Sequence, residues 1–357
     1  MTQSDLGGAA LWSPPQRDFL ESLRLELDSK VELSLHPSPI EPPLDRADAP
    51  PERPGTRILF FGIPSDYGVA FLLDLLLHDY NVVGIVTSGR GELGRFPADR
   101  FDAIAAELGL PKCTLKNVNA PESLALFRPH APELIAIASL DQIFKAELLN
   151  LPRLGCVNVH PSLLPSYRGP DPRYWEIFEE ASEGGITIHL IDERIDAGVC
   201  LHQAAVPIGP EDSWGTLAKR CVQAGLPLLR RAIDELSDGT AVGSALDLTT
   251  GSYHPAARPG PIDWSAPAAE IDRLVRAGSP DKPPFTYWQG QQVYVTKAKP
   301  ATCAGGAPPG TIVEVEVGLI HVAAADAEIE VSELRVHDEH GCLVPFDVSA
   351  ITGGTLG

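Results

Sequence analysis

The sequence predicts an α/β protein: an open, mostly parallel, doubly wound sheet (a Rossmann-like layout) followed by a smaller, β-rich C-terminal domain. Three observations predict it. Short, continuously apolar runs alternate with helical patterns from Arg57 to His160, as strands covered on both faces and their crossover helices do. A long apolar helical stretch, Ser213–Leu236, follows two strands of mixed alternation. Beyond Asp263 the pattern changes to short strands broken by Gly- and Pro-rich turns. A chain of 357 residues has room for two or three domains at roughly 100–200 residues each.

In chain order, Pro15–Ser29 reads as an amphipathic helix with Phe19, Leu20, Leu23 and Leu27 on one face. It belongs to an N-terminal extension, residues 1–36, too short to bury a core of its own. Residues 37–56 read as a linker, because seven prolines fall within positions 37–54 and neither helix nor strand tolerates that density. The main α/β domain is expected over 57–250. Arg57–Ile63 and Asn81–Thr87 are its first strands, with a helix at Tyr67–His78 between them and another at Phe101–Leu108. Leu134–Ala138, Gly155–His160, ITIHLID from Ile186 and CLHQAAVPI from Cys200 are further strands. Residues 251–357 form the β-rich, OB-like remainder: a helix at Pro267–Ala277, then strands at Gln292–Lys297, Thr311–Glu316, Leu319–Ala323 and Glu328–Val336.

Lys and Arg total 28 against 48 Asp and Glu, a net charge of −20. Such a surface repels phosphate backbones and argues against nonspecific binding to nucleic acid or membranes. Met1–Ala10 lacks a basic n-region and an apolar core, so no signal peptide is expected. No run reaches the ~18 apolar residues that span a bilayer. The six cysteines are scattered without metal-ligand spacing, which fits reduced thiols, no metal and a cytoplasmic protein.

One stretch carries chemistry: Asn158-Val159-His160-Pro161-Ser162-Leu163-Leu164-Pro165-Ser166-Tyr167-Arg168-Gly169-Pro170. It leaves a buried strand and turns at once, and open parallel sheets place function at the carboxyl ends of strands. Asn158 and His160 point to the same side of that strand, and Asp196 follows 38 residues after Asn158, inside IDERIDAG. A carboxamide donor, an imidazole and a carboxylate suit acyl transfer to an amine.

This stretch resembles the folate-dependent formyltransferase family, in which an Asn-x-His-x-Ser-Leu-Leu-Pro segment and a later Asp-x-Gly form the catalytic triad. The resemblance extends through Arg57–Val86, through GITIHLIDERIDAGVCLHQAAVPI and through PIDWS, covering roughly residues 57–345. It implies that Asn158 and His160 bind and polarise the formyl oxygen while Asp196 serves proton transfer. It also implies 10-formyltetrahydrofolate as co-substrate. The pteridine pocket would correspond to Ser139, Leu140, Asp141, Gln142 and Ile143, together with Ile191, Asp192, Glu193, Ile195 and Gly198.

Ser65, Asp66 and Tyr67, just beyond the first strand, are expected to touch the acceptor. The surrounding GIPSDYG lacks GxGxxG and a Lys-Ser/Thr ending, so it reads as a plain strand-to-helix turn rather than a phosphate loop. Arg168 divides evenly between binding an anionic part of a substrate and covering the turn. Tyr174 is placed either at the acceptor or in the core. His189 and His202, on strands, read as core or edge histidines rather than metal ligands.

Members that act on initiator tRNA carry a basic loop after the second strand and a basic C-terminal domain, as phosphate contacts require. Here that loop is Ser88–Arg95, with two arginines and a glutamate. Residues 57–250 carry a net −9 and the chain from 260 onward a net −7. RGPDPRYWEIF also looks more like members acting on small amines. The expected acceptor is therefore a small-molecule amine, an amino sugar or an amino-acid-derived metabolite. The alternatives are methionyl-tRNA formyl transfer, 10-formyltetrahydrofolate hydrolysis, and a folate-binding or scaffolding role without turnover.

Overall fold

The computed structural model describes residues 11–33, 55–88, 100–304, 306–338, 343–351 and 353–357. Residues 37–54 of the proline-rich linker, Met1–Ala10 and the loop from Gly89 through Arg95 lie outside the described residues.

The first helix, α1 (Pro14–Ser29), is followed by β1 (Ile58–Gly62), α2 (Asp66–Leu77), β2 (Val82–Ser88), α3 (Arg100–Leu108) and β3 (Lys112–Leu115). Then come α4 (Pro121–Phe127), β4 (Leu134–Ala138), α5 (Ala146–Leu149), β5 (Cys156–His160) and α6 (Pro172–Phe178). β6 (Glu183–Leu190), β7 (Cys200–Pro207) and α7 (Trp214–Ser237) complete the α/β part. The remainder holds α8 (Ala268–Gly278), β8 (Phe285–Trp288), β9 (Gln291–Ala304), β10 (Ile312–Glu316), β11 (Leu319–Ala323), β12 (Ala327–His337) and β13 (Leu343–Phe346).

Seven strands form one sheet in the order β3-β2-β1-β4-β5-β6-β7. β1 pairs in parallel with β2 and β4, β2 with β3, and β4 with β5. β6 runs antiparallel to β5. β1, β2 and β4 are buried at every position, which explains why their sequences are continuously apolar instead of alternating. One face packs Phe61, Val86, Ile135 and Ile137 against Leu124, Phe127 and Phe144. On another side, Phe60 meets Phe101 of α3 edge-to-face, with ring centroids 5.9 Å apart.

By contacts the chain divides into two units: Met1–Arg168 with Gly185–Val206 and Lys219–Tyr253, and Gly169–Gly184 with Pro207–Ala218 and His254–Gly357. The last of these divisions falls between Tyr253 and His254. Two short earlier segments, one containing α6, group with the second unit. In that unit the antiparallel sheet β10-β11-β12-β9-β8, with β13 on β12, buries Val293, Val295, Ile320, Val322, Ile329 and Val331 against Ile271 and Val275 of α8.

The N-terminal helix docks on the first unit. Leu20, Leu23 and Leu27 are buried, Trp12 donates from Nε1 to the Leu76 carbonyl at 2.8 Å, and Arg17 pairs with Asp79 at 2.9 Å. Phe19, expected on the same face, is half-buried. None of the described helices is long and apolar enough to cross a membrane.

Candidate active site

The site is built at the carboxyl end of β5, where the parallel part of the sheet meets its antiparallel neighbour. The β5–β6 register sets Asn158 opposite His189 and His160 opposite Thr187. All four side chains share one face, because side chains alternate along a strand. Asn158 Nδ2 lies 3.2 Å from His189 Nε2. His189 Nδ1 lies 3.3 Å from the Leu190 carbonyl oxygen, which only a protonated Nδ1 can satisfy. Nε2 then accepts, and Asn158 donates to it. Burial, reinforced by the charge of His160, lowers the His189 pKa to about 4, outweighing the opposite pull of Asp196.

His160 is buried, and both of its ring nitrogens face oxygens. Nε2 is 3.1 Å from the Tyr167 carbonyl, and Nδ1 is 3.5 Å from Asp196 Oδ1. The same Asp196 oxygen lies 3.9 Å from His189 Nε2. Asn158, His160 and Asp196, separate in sequence, thus converge as expected from their spacing. Asn158 is half-buried, and its second N–H and Oδ1 have no partner among the described residues.

The loop after His160 is held from below. Thr187 donates from Oγ1 to the Ser162 carbonyl at 2.6 Å and accepts from the Leu164 N–H at 3.1 Å. Ser162 Oγ donates to the Ser166 carbonyl at 2.7 Å, and Gln203 Nε2 donates to the Leu164 carbonyl at 2.7 Å. The Tyr167 N–H reaches Ser252 Oγ at 2.9 Å, which fixes the carbonyl that faces His160. Tyr167 and Asp196 both adopt left-handed φ values, 54° and 47°, a cost of order 1–3 kcal/mol each that the surrounding bonds must offset.

Gly198 explains the Asp-x-Gly spacing. A Cβ there would collide with the Leu190 carbonyl oxygen, while the Val199 carbonyl accepts from Leu190 N–H at 2.9 Å. Only glycine lets the chain pass this close to β6 and still present Asp196 to His160. Gly198 is buried and has a backbone task.

The two segments assigned to the pteridine differ in what they offer. Gln142 is committed to the scaffold: its amide bonds the Val118 N–H at 3.0 Å, Ser88 Oγ at 3.1 Å and the Leu115 carbonyl at 3.3 Å. Leu140 and Ile191 pack on the core. Ser139 takes a left-handed turn, with φ 63°, and Asp141 and Ile195 are exposed. Burial pushes the Asp192 carboxyl up, but the hydrogen bonds and charge of Arg194, 2.5 Å away, more than offset this and hold it low. Ile143 and Glu193, one from each segment, meet in a cleft of about 590 Å³ lined also by Asn119, Phe144, Lys145 and Glu147.

Ser65, Asp66 and Tyr67, expected at the acceptor, turn inward. Ser65 caps α2, accepting from the Gly68 N–H at 3.2 Å. The Asp66 carboxylate is 1% exposed and lies between Lys30 at 2.7 Å and Arg100 at 2.7 Å. Arg100 in turn bonds Glu26 of α1. Tyr67 is buried against Phe71, with centroids 5.1 Å apart. The turn itself is the plain one expected: a Cβ at Gly68 would strike the Ile63 carbonyl. Tyr174 is buried in α6 and stacks on Phe178, 5.7 Å between centroids, an interior placement. Arg168 is half-buried; its backbone N–H bonds the Ser252 carbonyl at 3.0 Å, and its buried Nε has no partner among the described residues. His202 pairs with Glu235 at 2.9 Å. Cys113, Cys156, Cys200 and Cys221 are free thiols.

His189, Thr187 and Gln203 were not expected to serve the site. The signal for His189 lies in strand parity: once β6 runs antiparallel to β5, the residue opposite Asn158 must share its face.

Two family profiles match the chain: Formyl transferase, over residues 58–233, and Formyl transferase, C-terminal domain, over residues 257–342. The methionyl-tRNA formyltransferase of Roseiflexus castenholzii is 33% identical over 280 residues, 76% of this chain and 88% of that protein. HypX from Aquifex aeolicus, solved in complex with tetrahydrofolic acid, has a TM-score of 0.63 at 15% identity, over 81% of this chain and 46% of HypX. The chain therefore spans about half the length of HypX. WlaRD, a sugar 3N-formyl transferase solved in the presence of dTDP and 5-N-formyl-THF, has a TM-score of 0.56 at 18% identity, over 78% of this chain and 97% of its own. These structural likenesses show a common fold. The profile matches, and the identity to a relative covered over most of its length, go further: this chain belongs to the formyl transferase family.

Proposed function

We propose that the protein transfers a formyl group from 10-formyltetrahydrofolate to the amine of a small molecule. The observation that carries this reading is the convergence of Asn158, His160 and Asp196 at the end of β5 in a member of the formyl transferase family. The folate-bound states of HypX and WlaRD support the choice of donor.

A neutral acceptor amine attacks the formyl carbon, forming the new C–N bond and a tetrahedral oxyanion. The unpartnered Asn158 N–H donates to that oxygen, which develops charge only along the reaction and so is stabilised most in the transition state, while His160, whose ring nitrogens face the Tyr167 carbonyl and Asp196, links the carboxylate to the site. Collapse breaks the bond to the folate nitrogen, and the proton lost by the amine moves to that nitrogen. Asp196, in line with His160 Nδ1, is the group placed to take and return it, through His160 or a water. The folate lies along the cleft shared by Ile143 and Glu193. Arg168 offers a cation to an anionic part of either substrate.

Charge supports a small acceptor. Residues 57–250 carry a net −9 and the stretch from 260 a net −7, whereas contact with a tRNA backbone requires cations. A second reading, methionyl-tRNA formyl transfer, is favoured by the 33% identity to the Roseiflexus castenholzii enzyme. Incubation with 10-formyltetrahydrofolate alone, with charged initiator tRNA and with an amine library separates the readings. A mass gain of one formyl group on a library amine supports the first. Salt-sensitive turnover on tRNA supports the second, and formate release without any amine would indicate hydrolysis.

A further inference from the structure

We propose that His189 is a positioning residue: it holds the Asn158 carboxamide with its nitrogen end fixed, so that the remaining N–H is available to the formyl oxygen. This rests on the reading of Asn158 as the donor to that oxygen. Asparagine by itself does not choose. Its amide can present either an N–H or a carbonyl oxygen to a site, and the two ends differ little in shape.

The choice is made across the strands. His189 stands directly opposite Asn158 in the β5–β6 register, with its Nε2 3.2 Å from Asn158 Nδ2. The Leu190 carbonyl, 3.3 Å from Nδ1, holds the proton on that nitrogen. Nε2 is left as a lone pair, and a lone pair can face only the N–H end of the carboxamide. Were Nε2 to carry a proton, it would draw Oδ1 toward itself and leave the amide offering the wrong polarity to an oxyanion. Asp196 Oδ1, 3.9 Å from Nε2, pulls toward that protonated state. Complete burial of the ring opposes it, as does the neighbouring His160 ring, 6.4 Å away between centroids. The result is a pKa lowered to about 4, so the ring stays neutral at ordinary pH.

The first test is nitrogen-15 NMR of the imidazoles in the wild-type protein. Protonated Nδ1 and unprotonated Nε2 for His189 from pH 5 to 8 are expected; an Nε2–H tautomer or an imidazolium in that range overturns the proposal. The second compares His189→Gln, whose Oε1 can accept from Asn158 Nδ2, with His189→Leu, which cannot. Formyl loss from 10-formyltetrahydrofolate is followed with hydroxylamine as the amine. His189→Leu should lower kcat by about 10–100-fold with the KM for the folate unchanged, and His189→Gln should recover most of it. Equal losses in both variants, or an effect confined to KM, would contradict a positioning role. A wild type that releases no formyl group would defeat the functional reading, while the tautomer measurement still judges His189. That measurement also decides if either variant does not fold.

Discussion

Asp196 Oδ1 lies 3.5 Å from His160 Nδ1, on the far side of the ring from the nitrogen that faces the Tyr167 carbonyl at 3.1 Å. The ring is therefore gripped at both nitrogens, and a proton on Nδ1 has one carboxylate to share it with. Asp196→Asn keeps the shape and removes the base. Formyl transfer should fall by about 100–10,000-fold with little change in melting temperature, since the Asp196 side chain is partly exposed, at 15%. Steady-state kinetics beside a thermal melt checks this; an active variant, or one that loses activity only by unfolding, contradicts the assigned role.

Gly198→Ala probes the same carboxylate through the backbone. The added Cβ meets the Leu190 carbonyl, so β6 and the Asp196 turn must separate. Overpacking of this kind costs about 1–3 kcal/mol. Activity should drop further than the stability loss accounts for, because Asp196 moves from His160. Chemical denaturation and turnover measured on the same preparation give the two numbers, and unchanged turnover would show that the close approach does not place Asp196.

Buried Glu176 and Asp281 should shift stability with pH in the opposite direction to buried His189. Glu176 is buried with an Oε2 that bonds nothing among the described residues, and burial raises its pKa from 4.5 to about 8 against the pull of Arg173. Asp281 is raised by burial from 3.8 to about 7. Between those values the native state keeps protons that the unfolded chain has released, so stability in the second unit declines as pH rises through about 4 to 8. His189, in the first unit, is lowered from 6.5 to about 4. There the unfolded chain takes up a proton that the native state refuses, so stability is lost as pH falls through that window. Melts across pH for wild type and Glu176→Gln test the first arm: the glutamine variant should flatten the decline above pH 5, and parallel slopes would contradict it.

Asp66→Ala should be costly although it is far from the reaction. Its carboxylate neutralises Lys30 and Arg100, and Arg100 is itself 1% exposed. Removing one member of a buried ion pair leaves an uncompensated charge and costs about 3–5 kcal/mol. A urea titration showing less than about 1 kcal/mol would mean that α1 and α3 do not depend on this carboxylate.

The continuous apolar runs of β1, β2 and β4 were legible because burial on both faces leaves no polar positions. β3, half-buried as KCTL at the sheet's edge, and the short α6 carry too little periodicity to be read. The convergence of Asn158, His160 and Asp196 followed from strand parity and a known spacing. The inward turn of Asp66 did not, because its partners Lys30 and Arg100 lie more than thirty residues away on either side. In the sequence His189 reads as a core or edge histidine, and it is buried; its pairing with Asn158 depends on the antiparallel direction of β6, which composition does not reveal.

In the proposed reaction, Asn158, His160 and Asp196 transfer a formyl group from 10-formyltetrahydrofolate. The most direct test is mass spectrometry of an amine library incubated with the folate and either wild type or Asn158→Ala. Wild type should add one formyl group to an amine, and Asn158→Ala should do so about 100–1000-fold more slowly. Transfer by Asn158→Ala at the wild-type rate, or no loss of formyl from the folate with any amine or tRNA, would contradict the proposed reaction.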